Sequence, residues 1–293
     1  MEKELYKIRS LSACIHDAFE LYCNNFSTIF KCTWLPALIL SLAIAITNMA
    51  TTSFSQHPVV ASVCSVIALW SIMIFLGSWI DSKYIRLLNK QSTRVNYRKC
   101  LNVCLFFLAL TALLFTILMV VYIISLTIMA HTHIALMTAA GWSIAVIALI
   151  VLVVFFLFVP FLYAMVAYVM AEGGKMKSVF KQAYRIGWKH YGFLFGITAI
   201  SALIAAVLVV IVSTPTVLLY MSSFANNQGV ALGDASALPS TFFLLKAMTD
   251  VITYFGCTYL AIWLFFVQYY AYGSITTREQ ERSLQNTNTH INE

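Results

Sequence analysis

Charge is scarce in this chain, and that scarcity decides the class of protein. Only 10% of the 293 residues are Asp, Glu, Lys or Arg, while 61% are hydrophobic; an ordinary soluble domain carries about a quarter charged residues. Carboxylates are rarer still, with Asp and Glu totalling 11, and the apolar runs hold almost none for acid and base chemistry. There is no G-x-S-x-G elbow, no H-E-x-x-H helix and no Gly-x-x-x-x-Gly-Lys loop, so the sequence is read as no enzyme and as needing no cofactor. It also lacks the alternating pattern of membrane strands. Lipid admits only helices or closed barrels as spanning structures, which leaves helices.

Runs long enough to cross a hydrocarbon core, about 20 apolar residues each, fall near 34–50, 59–80, 101–129, 142–170, 193–221 and 251–273. The expected fold is therefore all-α, a polytopic bundle of six transmembrane helices forming one domain over residues 1–275. Residues 276–293 are expected to be a short polar tail. The N-terminus MEKELYKIRS leads into Asp17 and Glu20 rather than into a short apolar core with a cleavage site, so the first span is expected to act as its own insertion signal.

Basic residues are missing from three loops. TTSFSQHP, MAHTHIALMTAAG and SSFANNQGVALGDASALPS contain neither Lys nor Arg, whereas cations cluster before span one, between spans two and three, between spans four and five, and after span six. The positive-inside rule then places both termini in the cytoplasm of a multi-pass protein of the bacterial inner membrane. The formal charge of +7 belongs to that face and favours anionic lipid headgroups as partners. A nucleic-acid reading wants an extramembrane basic domain, and the sequence shows none.

Seven cysteines do not form a disulfide framework. Cys14, Cys23, Cys32, Cys100 and Cys104 fall in or near the reducing side, and Cys64 and Cys257 fall within spans. His57, His131 and His133 on two outer loops have no acidic neighbour to orient their rings, so no metal site is expected. Gly173 and Gly174 read as a helix stop after span four. Pro36 is placed in the first turn of its span, while Pro160 and Pro215 are expected to kink their helices or free carbonyls.

Sliding the chain by 165 positions superposes two approach segments: Ala18, Phe19, Phe26, Ile29 and Phe30 meet Ala183, Tyr184, Tyr191, Leu194 and Phe195. Both are expected to be amphipathic interfacial helices, at about 11–31 and 177–191, before spans one and five. In the first, Leu11, Ile15, Ala18, Phe19, Tyr22, Phe26, Ile29 and Phe30 have the spacing of one apolar stripe. In the second, Lys177, Lys181, Arg185 and Lys189 recur every fourth residue and are expected to contact lipid headgroups, each cation contributing about 1 kcal/mol near an anionic leaflet. Plain positive-inside anchoring explains them equally well. Glu20 takes the register of Arg185, which suggests an ion pair between the two copies. Both copies enter from the same side, unlike the inverted repeats of many transporters.

Lys246 and Asp250, four residues apart, share a helix face near span six. Intramembrane charges commonly line an ion or substrate path. Because 251–273 suffices to span without them, the outer interface is the favoured place for the pair.

At YVMAEGGKMKSVFKQAYRIGWKHYGFLFGI, residues 168–197, the chain resembles a broad group of uncharacterised bacterial six-span inner-membrane proteins. These are similar to the membrane domain attached to some glycerophosphodiester phosphodiesterases. The shared pattern is a span, an acidic-then-glycine stop, an Ala-aromatic amphipathic helix and another span. Only ITTREQERSLQNTNTHINE follows span six, so the resemblance does not carry phosphodiesterase activity. The expected function is that of a non-catalytic integral membrane protein contributing to envelope or lipid organisation through its basic interfacial helices, alone, as a homo-oligomer or in a membrane complex. A small transporter or permease subunit is the alternative.

Overall fold

The computed structural model describes residues 5–53, 58–132, 136–235, 238–239 and 241–291. Every regular element among them is a helix: α1 Leu11–Ser53, α2 Pro58–Asn89, α3 Thr93–Thr132, α4 Leu136–Met170, α5 Met176–Lys189, α6 Tyr191–Ala231 and α7 Phe242–Ile291. Five described segments are long and apolar enough to cross a membrane, namely Leu11–Met49, Thr93–Val121, Ala145–Met170, Tyr191–Ala231 and Phe242–Gln285. The second expected span falls in α2, where the side chains of residues 58–66 lie outside the described set. His57 and His133 also lie outside the described residues, as does the side chain of His131.

The chain forms two compact units, one from residues up to Cys100 and from Gly196 onward, the other from Leu101–Phe195. In the first, α1 packs on both α7 and α2. Within their most apolar windows, 44% of residues in α1 and in α7 are buried by protein, against 6% for Thr93–Val121. Long apolar helices that leave their side chains uncovered are expected where hydrocarbon is the solvent.

Among the described residues of α1, those buried include Cys14, Ala18, Leu21, Ile29, Thr33, Ala37, Leu40, Ser41, Ile44 and Ala45; the spacing of three, four and eight as far as Leu40 keeps one face toward the protein. Only part of the expected apolar stripe meets protein. Phe19, Phe26 and Phe30 are exposed, and of the expected set only Ala18 and Ile29 are fully buried. The reason is volume. α7 presents the large buried side chains Phe266 and Tyr270, which leave room only for small partners at closest approach. The aromatic rings of α1 flank that seam instead, with Tyr22 beside Phe266 at 6.1 Å and Phe30 stacked on Tyr259 at 5.7 Å. Buried Thr33 and Ser41 donate to carbonyls one turn back on α1, at 2.7 and 2.8 Å, so neither hydroxyl is left unsatisfied.

Two further expectations change in this unit. The approach at 11–31 is not a separate helix, because α1 runs unbroken from Leu11 to Ser53. Pro36 consequently sits well inside a helix rather than in a first turn. The polar tail continues α7 as helix as far as Ile291.

In the second unit α5 packs on α4. α4 ends at Met170, and Gly173 and Gly174 follow with φ of +117° and +100°, values that suit glycine and stop a helix as expected. α5 is parted from α6 by one residue, His190, whose φ of −110° and ψ of 26° leave helical geometry.

Candidate functional site: an exposed cation helix and a buried polar cluster

The cation helix is built by the face opposite its charges. Ala183 and Gly187 are the buried residues of α5, and a Cβ on Gly187 would come within 3.1 Å of Pro160 Cβ and 3.2 Å of its carbonyl oxygen. The two backbones therefore cross in near contact, which only small residues permit. Phe180 closes one end of the seam against Phe161 at 5.1 Å and Phe106 at 5.5 Å.

Pro160 cannot donate to the carbonyl of Phe156 one turn before it, and the Tyr184 hydroxyl donates to the adjacent carbonyl, that of Leu157, at 3.2 Å. A proline in an apolar helix is tolerated where a neighbouring side chain satisfies the loosened backbone. The same device recurs in the first unit, where the Thr253 hydroxyl reaches the carbonyl of Val212, three residues before Pro215, at 3.4 Å. In each case a hydroxyl from another helix reaches the carbonyl three residues before the proline.

With that face committed, Lys177, Lys181, Arg185 and Lys189 are all exposed. Trp188 is exposed too, and stacks on Tyr191 at 5.2 Å, with Tyr191 on Phe195 at 6.0 Å. Four cations and Trp188 are thus displayed on α5, and the aromatic row runs on from Trp188 into the start of α6. Glu20 and Arg185 belong to different units. The register of the cation stripe is occupied in α1 by Ser12, His16, Glu20 and Asn24. There His16, Asp17 and Glu20 bring ligand-type atoms within 4.8 Å of one another, and Asp17 already holds the Arg9 guanidinium at 2.8 Å.

The second candidate is buried. Lys246 is 6% exposed and Asp250 0%, so both are enclosed by protein, and they form no ion pair within 4.0 Å. Tyr220 of α6 stands between them. Its hydroxyl donates to Asp250 Oδ2 at 3.1 Å, and its ring face lies 3.8 Å from the Lys246 ammonium. A cation over an aromatic face gains electrostatically, and more so when desolvated. Asp250 Oδ1 is buried without a donor at hydrogen-bond distance, an expensive state for a carboxylate oxygen. Nearby, Thr216 and Thr253 share a hydrogen bond of 2.8 Å, and Asn48 of α1 donates to Tyr254 at 3.1 Å. Sequence reasoning found Lys246 and Asp250 but missed Tyr220, Thr216 and Asn48. The available signal was a spacing of four between Thr216 and Tyr220, and between Lys246 and Asp250, on two helices that an antiparallel hairpin would bring together.

A third feature gave no sequence signal. Residues 5–9 strap across α7: Arg9 N–H donates to Ser274 Oγ at 3.0 Å, Arg278 donates to the Arg9 carbonyl at 2.9 Å, and the Arg9 guanidinium lies 4.7 Å from the Tyr270 ring centre. Gly273 makes this possible, since any Cβ there would collide with the Leu5 carbonyl.

Compared with protein-family models, with curated proteins and with solved structures, the chain finds no match. The fold and the side chains described above therefore carry the functional argument alone.

Proposed function

We propose that this is a non-catalytic, multi-pass protein of the bacterial inner membrane that organises anionic lipid through α5. Its spans number six, α2 supplying the one beyond the five segments already named, and both termini are cytoplasmic. The resemblance to six-span inner-membrane proteins belongs to this reading. The observation that carries it is the division of α5, whose Ala183 and Gly187 are buried while all four cations are exposed. Anionic headgroups meet such a surface with about 1 kcal/mol per cation.

The test uses full-length protein in bilayer discs containing phosphatidylglycerol and phosphatidylcholine, followed by native mass spectrometry. Replacing Lys177, Lys181, Arg185 and Lys189 together by Gln should sharply reduce retained phosphatidylglycerol; unchanged retention rejects the reading. Single cysteines at Lys90 and Lys181 should react with an impermeant reagent only from the cytoplasmic side.

A second reading, a small transporter or permease subunit, is favoured by the buried Lys246, Tyr220 and Asp250 cluster. Buried ionisable residues of membrane helices often mark substrate or ion paths. Under it, Asp250→Asn abolishes proton- or ion-coupled flux into proteoliposomes while the protein stays folded; equal flux in the variant removes that reading.

A further inference from the structure

Between the end of α2 and the start of α3 lies an open cavity of about 500 Å³, lined by Phe75, Leu76, Trp79, Ser82, Thr93, Arg94 and Tyr97. All of these residues belong to the first compact unit. Its frame is rigid. Asn89 and Asn96 exchange two amide hydrogen bonds of 2.9 and 3.0 Å, Lys99 donates to Gln91 at 2.8 Å, and Lys90 takes φ of +56° in the turn. The corner between the two helices is thus fixed by side chains, and the cavity is a property of the fold.

Its lining is mixed: α2 contributes the hydrocarbon side chains Phe75 and Leu76, the indole of Trp79 and the hydroxyl of Ser82, and α3 contributes Thr93, the exposed Arg94 and the phenol of Tyr97. One cation and no carboxylate line it. Ser82 donates to the Trp79 carbonyl at 2.7 Å, and Thr93 Oγ1 accepts from Arg86 at 3.3 Å. The side chains of Arg94, Trp79 and Tyr97 have no hydrogen-bond or ion-pair partner among the described residues. Three donors, one of them a guanidinium, thus stand beside apolar walls without a protein acceptor.

We propose that this cavity is a binding site for one phospholipid with a net-anionic headgroup. Arg94 takes the phosphate, in the fork geometry that guanidinium offers to phosphate oxygens. Trp79 and Tyr97 sit at headgroup depth, where amphipathic rings are favoured, and Phe75 and Leu76 receive the start of an acyl chain. This deepens the lipid reading of the protein and rests on it for the orientation of α2 and α3. It differs in placing a single lipid in a shaped site, away from the general charge attraction of α5.

The experiment uses full-length protein in discs with equal phosphatidylglycerol and phosphatidylcholine, read by native mass spectrometry and by cross-linking to phosphatidylglycerol carrying a diazirine on its acyl chain. Arg94→Ala should weaken retention of one phosphatidylglycerol about fivefold, the loss expected for one cation at an anionic headgroup. Leu76→Trp, which fills the cavity without removing charge, should do the same. Cross-links in the unsubstituted protein should fall on residues 75–97. Full retention in both variants, or cross-links only elsewhere, overturns the site. If the α5 variant alone loses lipid, the site fails and the general reading stands. If the unsubstituted protein shows no preference for phosphatidylglycerol, both fail. Inorganic phosphate at millimolar concentration should not displace the lipid; displacement would show a free-anion site and overturn the proposal.

Discussion

At residues 11–31 and again at 176–191 the chain approaches a long apolar run through a segment of related pattern, yet only the second approach is a helix of its own. Equivalent positions keep the same burial where small or branched residues meet protein: Ala18 and Ala183 are buried, as are Ile29 and Leu194. They differ where glycine enters. Gly187, Gly192 and Gly196 of the second copy correspond to Tyr22, Ser27 and Lys31 of the first. Glycine weakens a helix by about 1 kcal/mol relative to alanine, and three within ten residues, around His190, accompany the break there. The first copy has no such weak point and continues as α1. The comparison teaches that a shared apolar stripe sets which residues face protein, while a few glycines set whether the approach can turn away from its span.

The partners differ as well. The first copy packs on α7 and is tied down by Arg9, whereas the second lies on α4 with its four cations exposed. Arg9→Ala should have the largest effect, because it removes a buried guanidinium from Asp17 and from the carbonyls of Leu5 and Lys7. Charge-assisted bonds of this kind contribute about 1.5–3 kcal/mol each at most, and a loss of about 3 kcal/mol in detergent unfolding is expected, together with faster proteolysis at the N-terminus. An unchanged midpoint means the first approach is held by α7 alone.

Gly187→Val strikes the second copy instead. It forces a branched side chain into the Pro160 crossing and should cost about 2 kcal/mol, chiefly by lifting α5. A spin-label pair on α4 and α5 should report increased separation. If the distance is unchanged, the near contact does not position the cation helix.

Gly192→Ala tests the break with the opposite sign. No atom lies within 4 Å of the added Cβ, so the variant should be stabilised by up to about 1 kcal/mol. Hydrogen exchange near His190 should slow. The smallest effect is expected for Tyr184→Phe, which removes an exposed hydrogen bond to the Leu157 carbonyl and should cost about 0.5 kcal/mol. A much larger loss would show that the hydroxyl is needed to hold α4 at its proline.

Much of the helical plan was legible before any coordinates, because an apolar run of twenty residues has few alternatives once charge is absent. The glycine stop after α4 was legible for the same local reason. The apolar stripe of α1 was legible as a spacing, but its packing partners were not. Periodicity identifies an apolar face but not which of its residues meet a bulky partner, and α7 admitted Ala18 while leaving Phe19 outside. Lys246 and Asp250 were visible as oddities, but the tyrosine between them was not, since Tyr220 is thirty residues from Asp250 in sequence.

Sequence alone determined the all-helical class, the charge asymmetry and the recurrence of one approach pattern, because these depend on transfer free energies and on residue spacing along a single helix. Tertiary structure decided which copy became a separate helix, which cations stayed exposed, how Trp79, Arg94 and Tyr97 came to line one cavity, and how Arg9 came to lie against α7. Those outcomes depend on the volume and hydrogen bonding of residues distant in sequence, and no spacing rule along one helix contains them.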